Sequence, residues 1–100
     1  MNAENLNVIH NKDENRFEIT LNGHLAEADY RIMGSQIIFT HTGVPDELEG
    51  QGIGSKLAQT ALDYAREKGL KVVPLCPFIA AYIKRHPEYQ DIVSEKYHGR

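Results

Sequence analysis

Glu49-Gly50-Gln51-Gly52-Ile53-Gly54-Ser55-Lys56-Leu57 is the stretch on which the fold turns. Alternating glycines let a backbone curl until successive N–H groups point to one spot. Behind them Leu57, Ala58, Ala61, Leu62 and Ala65 fall at helical spacing, in one narrow apolar stripe that begins at Ile53. Lys56, Gln59, Asp63, Arg66 and Glu67 occupy the other side. A helix is therefore predicted from Ile53 to Lys68, closed by Gly69. Its first turn offers unpaired N–H groups and the positive end of a dipole. Loop and helix together make a site for phosphate oxygens. The loop has no Lys-Ser/Thr pair and does not follow the first strand of a repeated strand–helix unit, which weakens a nucleoside triphosphate or dinucleotide reading. Taken alone, such a turn is equally well a mobile loop ahead of an ordinary amphipathic helix.

Upstream, the periodicity is that of strands. Leu6 to His10 reads as a first strand and Asn11 to Asn15 as a hairpin loop. Phe17, Ile19 and Leu21 alternate with Glu18 and Thr20, the period of a half-buried strand. Asn22-Gly23 is a strong hairpin signal, because both residues tolerate positive φ. Leu25 to Met33, with Tyr30 and Ile32 on one face, and Gln36 to Thr42 complete a four-stranded antiparallel meander. Downstream of the helix, Leu70 to Leu75 suits a strand buried on both faces. A second helix begins at Pro77, takes its apolar face from Phe78, Tyr82 and Ile83, and ends at His86-Pro87. A helical crossover between two strands usually returns parallel to the first. The expectation is thus a mixed sheet with helices packed on it, α+β in class, in one domain over residues 1–93. Residues 94–100 read as a frayed tail.

Bulk properties narrow the function. At 100 residues the chain is the size of one domain. A net charge of −3 has the wrong sign for a protein held by nucleic-acid phosphates. No apolar run is long enough to span a bilayer, and Met1 to Asn7 is too polar for a signal peptide. The single cysteine, Cys76, excludes an intramolecular disulfide. A reducing cytoplasm is the expected location.

At this point the chain resembles the GCN5-related N-acetyltransferase superfamily, whose acyl-CoA signature is Gln/Arg-x-x-Gly-x-Gly/Ala. Gly52-Ile53-Gly54 matches its second half, while Glu49 stands where Gln or Arg is usual. A carboxylate repels a pyrophosphate, so Glu49 is expected to point away and leave the contacts to the backbone. The run from Phe39 to Pro45, the run Gly69 to Phe78, and His86-Pro87-Glu88-Tyr89 are similar to the minimal, single-domain, small acetyltransferase-like branch. Members of that branch lack the helical pair after the first strand, and no helical segment precedes residue 45 here. The resemblance implies an acyl-CoA N-acyltransferase fold and transfer of acetyl from acetyl-CoA to an amine, which is a small molecule or a protein lysine. It implies that Thr42, Gly43 and Val44, at a splayed strand end, meet the pantetheine arm. The pyrophosphate would meet Gly50, Gln51, Gly52, Ile53, Gly54 and Ser55. A CoA-binding module without catalysis, acting as sensor or interaction domain, is the alternative.

Three residues are candidates for the chemistry. Cys76 precedes a helix, where the dipole favours thiolate, and the resemblance points to it as nucleophile. It is otherwise a buried thiol acting as a small hydrophobe. His41 is placed to accept a proton from the amine or from Cys76, or is a strand histidine satisfied by a hydrogen bond; register decides its face. Tyr82 falls where the superfamily often carries a tyrosine that protonates departing CoA thiolate, or it is a core tyrosine. Lys84, Arg85 and His86 either meet the 3′-phosphate of CoA or are a solvated helix face. Glu47 and Glu49 are bases for direct transfer or surface charges. The spacing of His41, Cys76 and His86 matches no short metal motif, so no metal is expected. Oligomeric state leaves no mark on the sequence.

Overall fold

Two turns organise the N-terminal half. Asn22 and Gly23 adopt φ of 53° and 79°, the left-handed pair whose twist suits adjoining antiparallel strands. They join β2 (Arg16–Leu21) to β3 (His24–Met33). Gly34, at φ 60°, turns β3 into β4 (Gln36–Gly43). β1 (Ile9–Asn11) pairs along Arg16, Phe17 and Glu18 of β2. The computed structural model describes residues 6–97. After β4 come a 3₁₀ turn (Asp46–Leu48), α1 (Ile53–Lys68), β5 (Lys71–Pro74) and α2 (Pro77–Arg85). Two further 3₁₀ segments, Pro87–Ile92 and Glu95–Tyr97, complete the described chain.

The strands lie in the order β1-β2-β3-β4-β5. The first three pairings are antiparallel, and β4 to β5 is parallel, as the α1 crossover requires. One sheet face is apolar: Phe17 and Ile19, Ala26, Ala28 and Tyr30, Ile37 and Phe39, then Val72. Leu57, Ala58, Ala61, Leu62 and Ala65 of α1 and Ile79 and Ile83 of α2 join the same core. Three alanines on α1 and two on β3 keep side chains short where helix and sheet meet, so α1 lies close over β2 and β3. Truncating Leu57 or Leu62 to alanine in such a core costs about 2–5 kcal/mol. Among the described residues no polar or charged residue is buried. Val72 and Val73 are both buried, so the middle of β5 is covered on both faces, but the strand is shorter than the expected Leu70 to Leu75, and Leu75 lies outside it and is exposed.

Three further expectations are corrected. The first strand spans Ile9–Asn11 rather than residues 6–10; Leu6 is buried in the core without joining the ladder. Ile32 keeps the parity of Tyr30 but is 46% exposed, because it lies near the end of β3. Ser94 to Tyr97, expected in the tail, are held by hydrogen bonds and include a 3₁₀ segment. Ser94 N–H donates to Val72 O at 2.8 Å, and Val93 bridges Val72 in parallel, which extends the sheet edge past β5. Residues 98–100 lie outside the described residues, as do residues 1–5 of the polar N-terminus.

Candidate functional site

The glycine loop is pinned at both ends. Leu48 and Ile53 are each 1% exposed, while Glu49, Gly50 and Gly52 between them are exposed. Gly50 and Gly52 take φ of 81° and 74°, a region costly for residues with a Cβ. Gly52 is the N-cap of α1 and supplies no side chain to its first turn. No acidic residue lies in that turn either. Among the described residues, the amides of 50–55 donate no hydrogen bond; the first amide bonded within the helix is Lys56, to Gly52 O at 3.0 Å. Free amides and an uncompensated dipole end therefore coincide, the combination that attracts phosphate. Glu49 is exposed and, among the described residues, takes part in no ion pair.

The strand beside the loop splits. β5 accompanies β4 only from Gln36 to Phe39, where Pro74 is the last partner. Cys76 N–H then donates to Phe39 O at 2.9 Å. Two prolines, Pro74 and Pro77, have no N–H to extend the ladder. His41 to Gly43 consequently remain paired to β3 on one side and leave the β5 side open. An extra residue at Thr40 shifts the β3–β4 register between Asp29 and Tyr30. Such a bulge bends a strand and re-aims its side chains. Thr42, Gly43 and Val44 sit half-buried at this opening. The two parts of the site touch, since a Cβ on Gly54 would fall 2.7 Å from Phe78 Cζ. The first turn of α1 thus rests on the first turn of α2.

Cys76 is the N-cap of α2, with Pro77 as first helical residue. It is 3% exposed, and its thiol donates to Thr42 Oγ1 at 3.4 Å across the opening. Tyr82, one and a half turns along α2, stacks on His86 with centroids 4.1 Å apart. Burial, then the charges of Glu88 and Asp63, push its phenol above the ordinary value, with Arg85 opposing. It stays protonated near neutrality, as a proton donor must. The structure separates His41 from Cys76. Thr42 pairs with Ala28 on the core face, and the adjacent His41 pairs with Asp29 on the other face. Among the described residues, His41 and Cys76 share no hydrogen bond. Lys84 and Arg85 are exposed in the last turn of α2. No group of three His, Cys, Asp or Glu side chains among the described residues can hold a metal ion.

Two residues escaped the sequence reading. Glu27 and Asp29 lie two apart on β3, opposite Gly43 and His41 of β4. Asp29 Oδ1 is enclosed and has no hydrogen-bond partner among the described residues. The period-two spacing Glu27-Ala28-Asp29 was a signal that both share a face; their neighbours on β4 depend on the bulge, which composition does not announce.

A parallel strand pair that parts beside a helix with free amides is the arrangement expected of the resemblance. The chain belongs to that family: the model of the GCN5-related N-acetyl-transferase family matches residues 16–92. Among relatives, Protein NATD1 of Mus musculus is 36% identical over 85 residues, spanning 82% of this chain and 77% of the relative. Protein NATD1 of Xenopus tropicalis is 33% identical over 88 residues, spanning 85% and 81%. A GCN5-like protein from Staphylococcus aureus, solved in solution by NMR, superposes with a TM-score of 0.70 at 36% identity, covering 96% of this chain and 98% of that one. The mixed α+β fold is that of the family.

Proposed function

We propose that this chain transfers an acyl group, acetyl in the first instance, from acetyl-CoA to an amine. One observation carries the reading: the amides of residues 50–55 are unengaged at a helix end that lacks both a capping side chain and an acidic first turn. Gly50, Gln51, Gly52, Ile53, Gly54 and Ser55 would hold the pyrophosphate. The open edge of Thr42, Gly43 and Val44 would pair with the amides of the pantetheine arm, which brings the thioester toward Cys76 and α2. Tyr82 would give its proton to the departing thiolate.

Two routes lead to product. In direct transfer the amine attacks the thioester carbon, the C–N bond forms, and the C–S bond breaks. In the other, Cys76 sulfur attacks first, CoA leaves, and the amine then cleaves the Cys76 thioester. The separation of His41 from Cys76 favours direct transfer, since the thiol lacks a base. Its position across the opening keeps the second route in play. A module that binds CoA without catalysis is the competing reading, and the buried thiol is the observation in its favour. We place the protein in the cytoplasm; among the described residues no helix is long and apolar enough to cross a membrane.

Titration with CoA and acetyl-CoA, observed at backbone amides, tests the site. Shifts centred on Gly50 to Ser55 are expected, and an unperturbed loop in excess CoA would sink the reading. Intact mass after incubation with acetyl-CoA separates the routes. A gain of one acetyl group that vanishes in Cys76→Ala indicates the acyl-cysteine. An acetylated amine without acylated protein indicates direct transfer, and binding with neither product indicates the module.

A further inference from the structure

The sheet face turned from the core carries rows of polar side chains, fixed by register. Arg16, Asp29 and His41 form one row, and Glu18, Glu27 and Gly43 form the next. Gly43 has no side chain, and the His41 imidazole leans over it at the mouth of the strand opening: a Cβ there would lie 3.1 Å from His41 Nε2. Gly43 is thus flanked by Glu27, its register partner on β3, and by the imidazole of His41 on β4. Arg16 holds Glu27 from β2, with Nη1 at 3.5 Å from Oε1, and its Nε is 2.6 Å from Glu18 Oε2. Asp29 is the next residue of this face along β3, with its enclosed Oδ1 unpartnered among the described residues.

Hydrogen bonding to Asp29, then burial and the Asp29 charge, raise Glu27 above the ordinary carboxylate value, while Arg16 and His41 oppose the rise. A carboxylate whose proton affinity lies nearer working pH is a better proton acceptor than an ordinary glutamate. Glu47 and Glu49, the carboxylates nearest the loop in sequence, are both exposed.

We propose that Glu27 is the group that takes the proton of the acceptor amine at the strand opening beside Gly43, with Asp29 and Arg16 as its positioning residues. The inference rests on the acyl-transfer reading and names the base for it. The ammonium proton passes to the Glu27 carboxylate. The neutral nitrogen forms its bond to the acyl carbon, and the C–S bond breaks. The sulfur leaves with the Tyr82 hydroxyl proton, and the second amine proton restores Tyr82 through water. Glu27 then releases its proton to solvent, so one proton is liberated for each amide formed.

The test measures acetyl transfer to n-butylamine against pH in wild type, Glu27→Gln and Asp29→Asn. Glu27→Gln is expected to lose roughly 10²–10⁴-fold in kcat, with CoA-induced shifts at residues 50–55 retained. Asp29→Asn is expected to slow transfer less than Glu27→Gln does and to move the acid limb of the profile to lower pH, because the negative neighbour that raises Glu27 is gone. Wild-type rates in Glu27→Gln, or an unmoved limb in Asp29→Asn, overturn the proposal. Should Glu27→Gln fail to fold, the Asp29→Asn limb decides. A wild type that leaves the loop unshifted by CoA overturns the acyl-transfer reading instead, and one that binds CoA yet acetylates no amine overturns both.

Discussion

At Gly54 one methyl group is enough to disturb the site. A Cβ would press on three atoms of the Phe78 ring, the nearest at 2.7 Å. Gly54→Ala should cost about 1–3 kcal/mol by overpacking, read as a lower urea midpoint, and adding Phe78→Leu should recover part of it. A loss that Phe78→Leu leaves untouched would mean that helix packing is not the cause. His10 offers a second test. Its ring stacks on Phe17 at 4.1 Å, and its Nε2 lies 2.6 Å from the Tyr30 hydroxyl. Burial, then the Lys12 charge, hold His10 below 6.5. The unfolded chain binds the proton near 6.5, and the folded chain only at lower pH. Stability is therefore full above 6.5 and falls as the pH drops from there through the folded value. The raised Glu27 acts in the opposite direction, but it is common to wild type and a His10→Phe variant. The difference between their stability curves should show the His10 slope; parallel curves would refute it.

At the scale of elements, α1 is held at each end by different chemistry. Its N-terminus is left without a cap, while its C-terminal half is tied to the segment Pro87–Ile92. Arg66 reaches both Asp91 oxygens at 2.7 and 2.8 Å and the Glu88 carbonyl at 2.8 Å. Tyr89 donates to Asp63 at 2.7 Å. The arginine and aspartate are exposed, so water screens the pair and its effect should be local. Arg66→Ala should speed amide exchange several-fold in residues 88–93, with the central amides of α1 unchanged. Uniform loss of protection would show that the contact supports the whole fold. Both helices were legible from spacing, and Gly69 and Pro77 marked their ends. The strand opening was implied by the resemblance alone and not by spacing, because it depends on where β5 stops against β4, a matter of pairing rather than pattern.

Across the whole molecule, binding and stability are linked. A ligand that recognises only the folded loop adds about 2.7 kcal/mol at one hundred times its Kd. In a domain of 100 residues that corresponds to a rise in Tm of roughly 10 °C or more. Thermal unfolding with and without CoA should show this shift, and Gly52→Asp, which sets a carboxylate at the phosphate position, should abolish most of it. An equal shift in the variant would argue that CoA stabilises the chain from somewhere else.

The order of elements, the parallel return after α1 and the glycine loop ahead of an uncapped helix end were written in the sequence, because each rests on local rules: a period of two or of 3.6, a turn that needs positive φ, a helix end without a capping side chain. Folding decided which chemistry-bearing groups meet. The extra residue at Thr40 offsets β4 by one, so His41 pairs with Asp29 and Gly43 with Glu27, while Thr42 meets Cys76. Side chains on a strand alternate faces, and a single bulge therefore reassigns every partner beyond it. That choice is made by long-range pairing, on which the residues of β4 taken alone are silent.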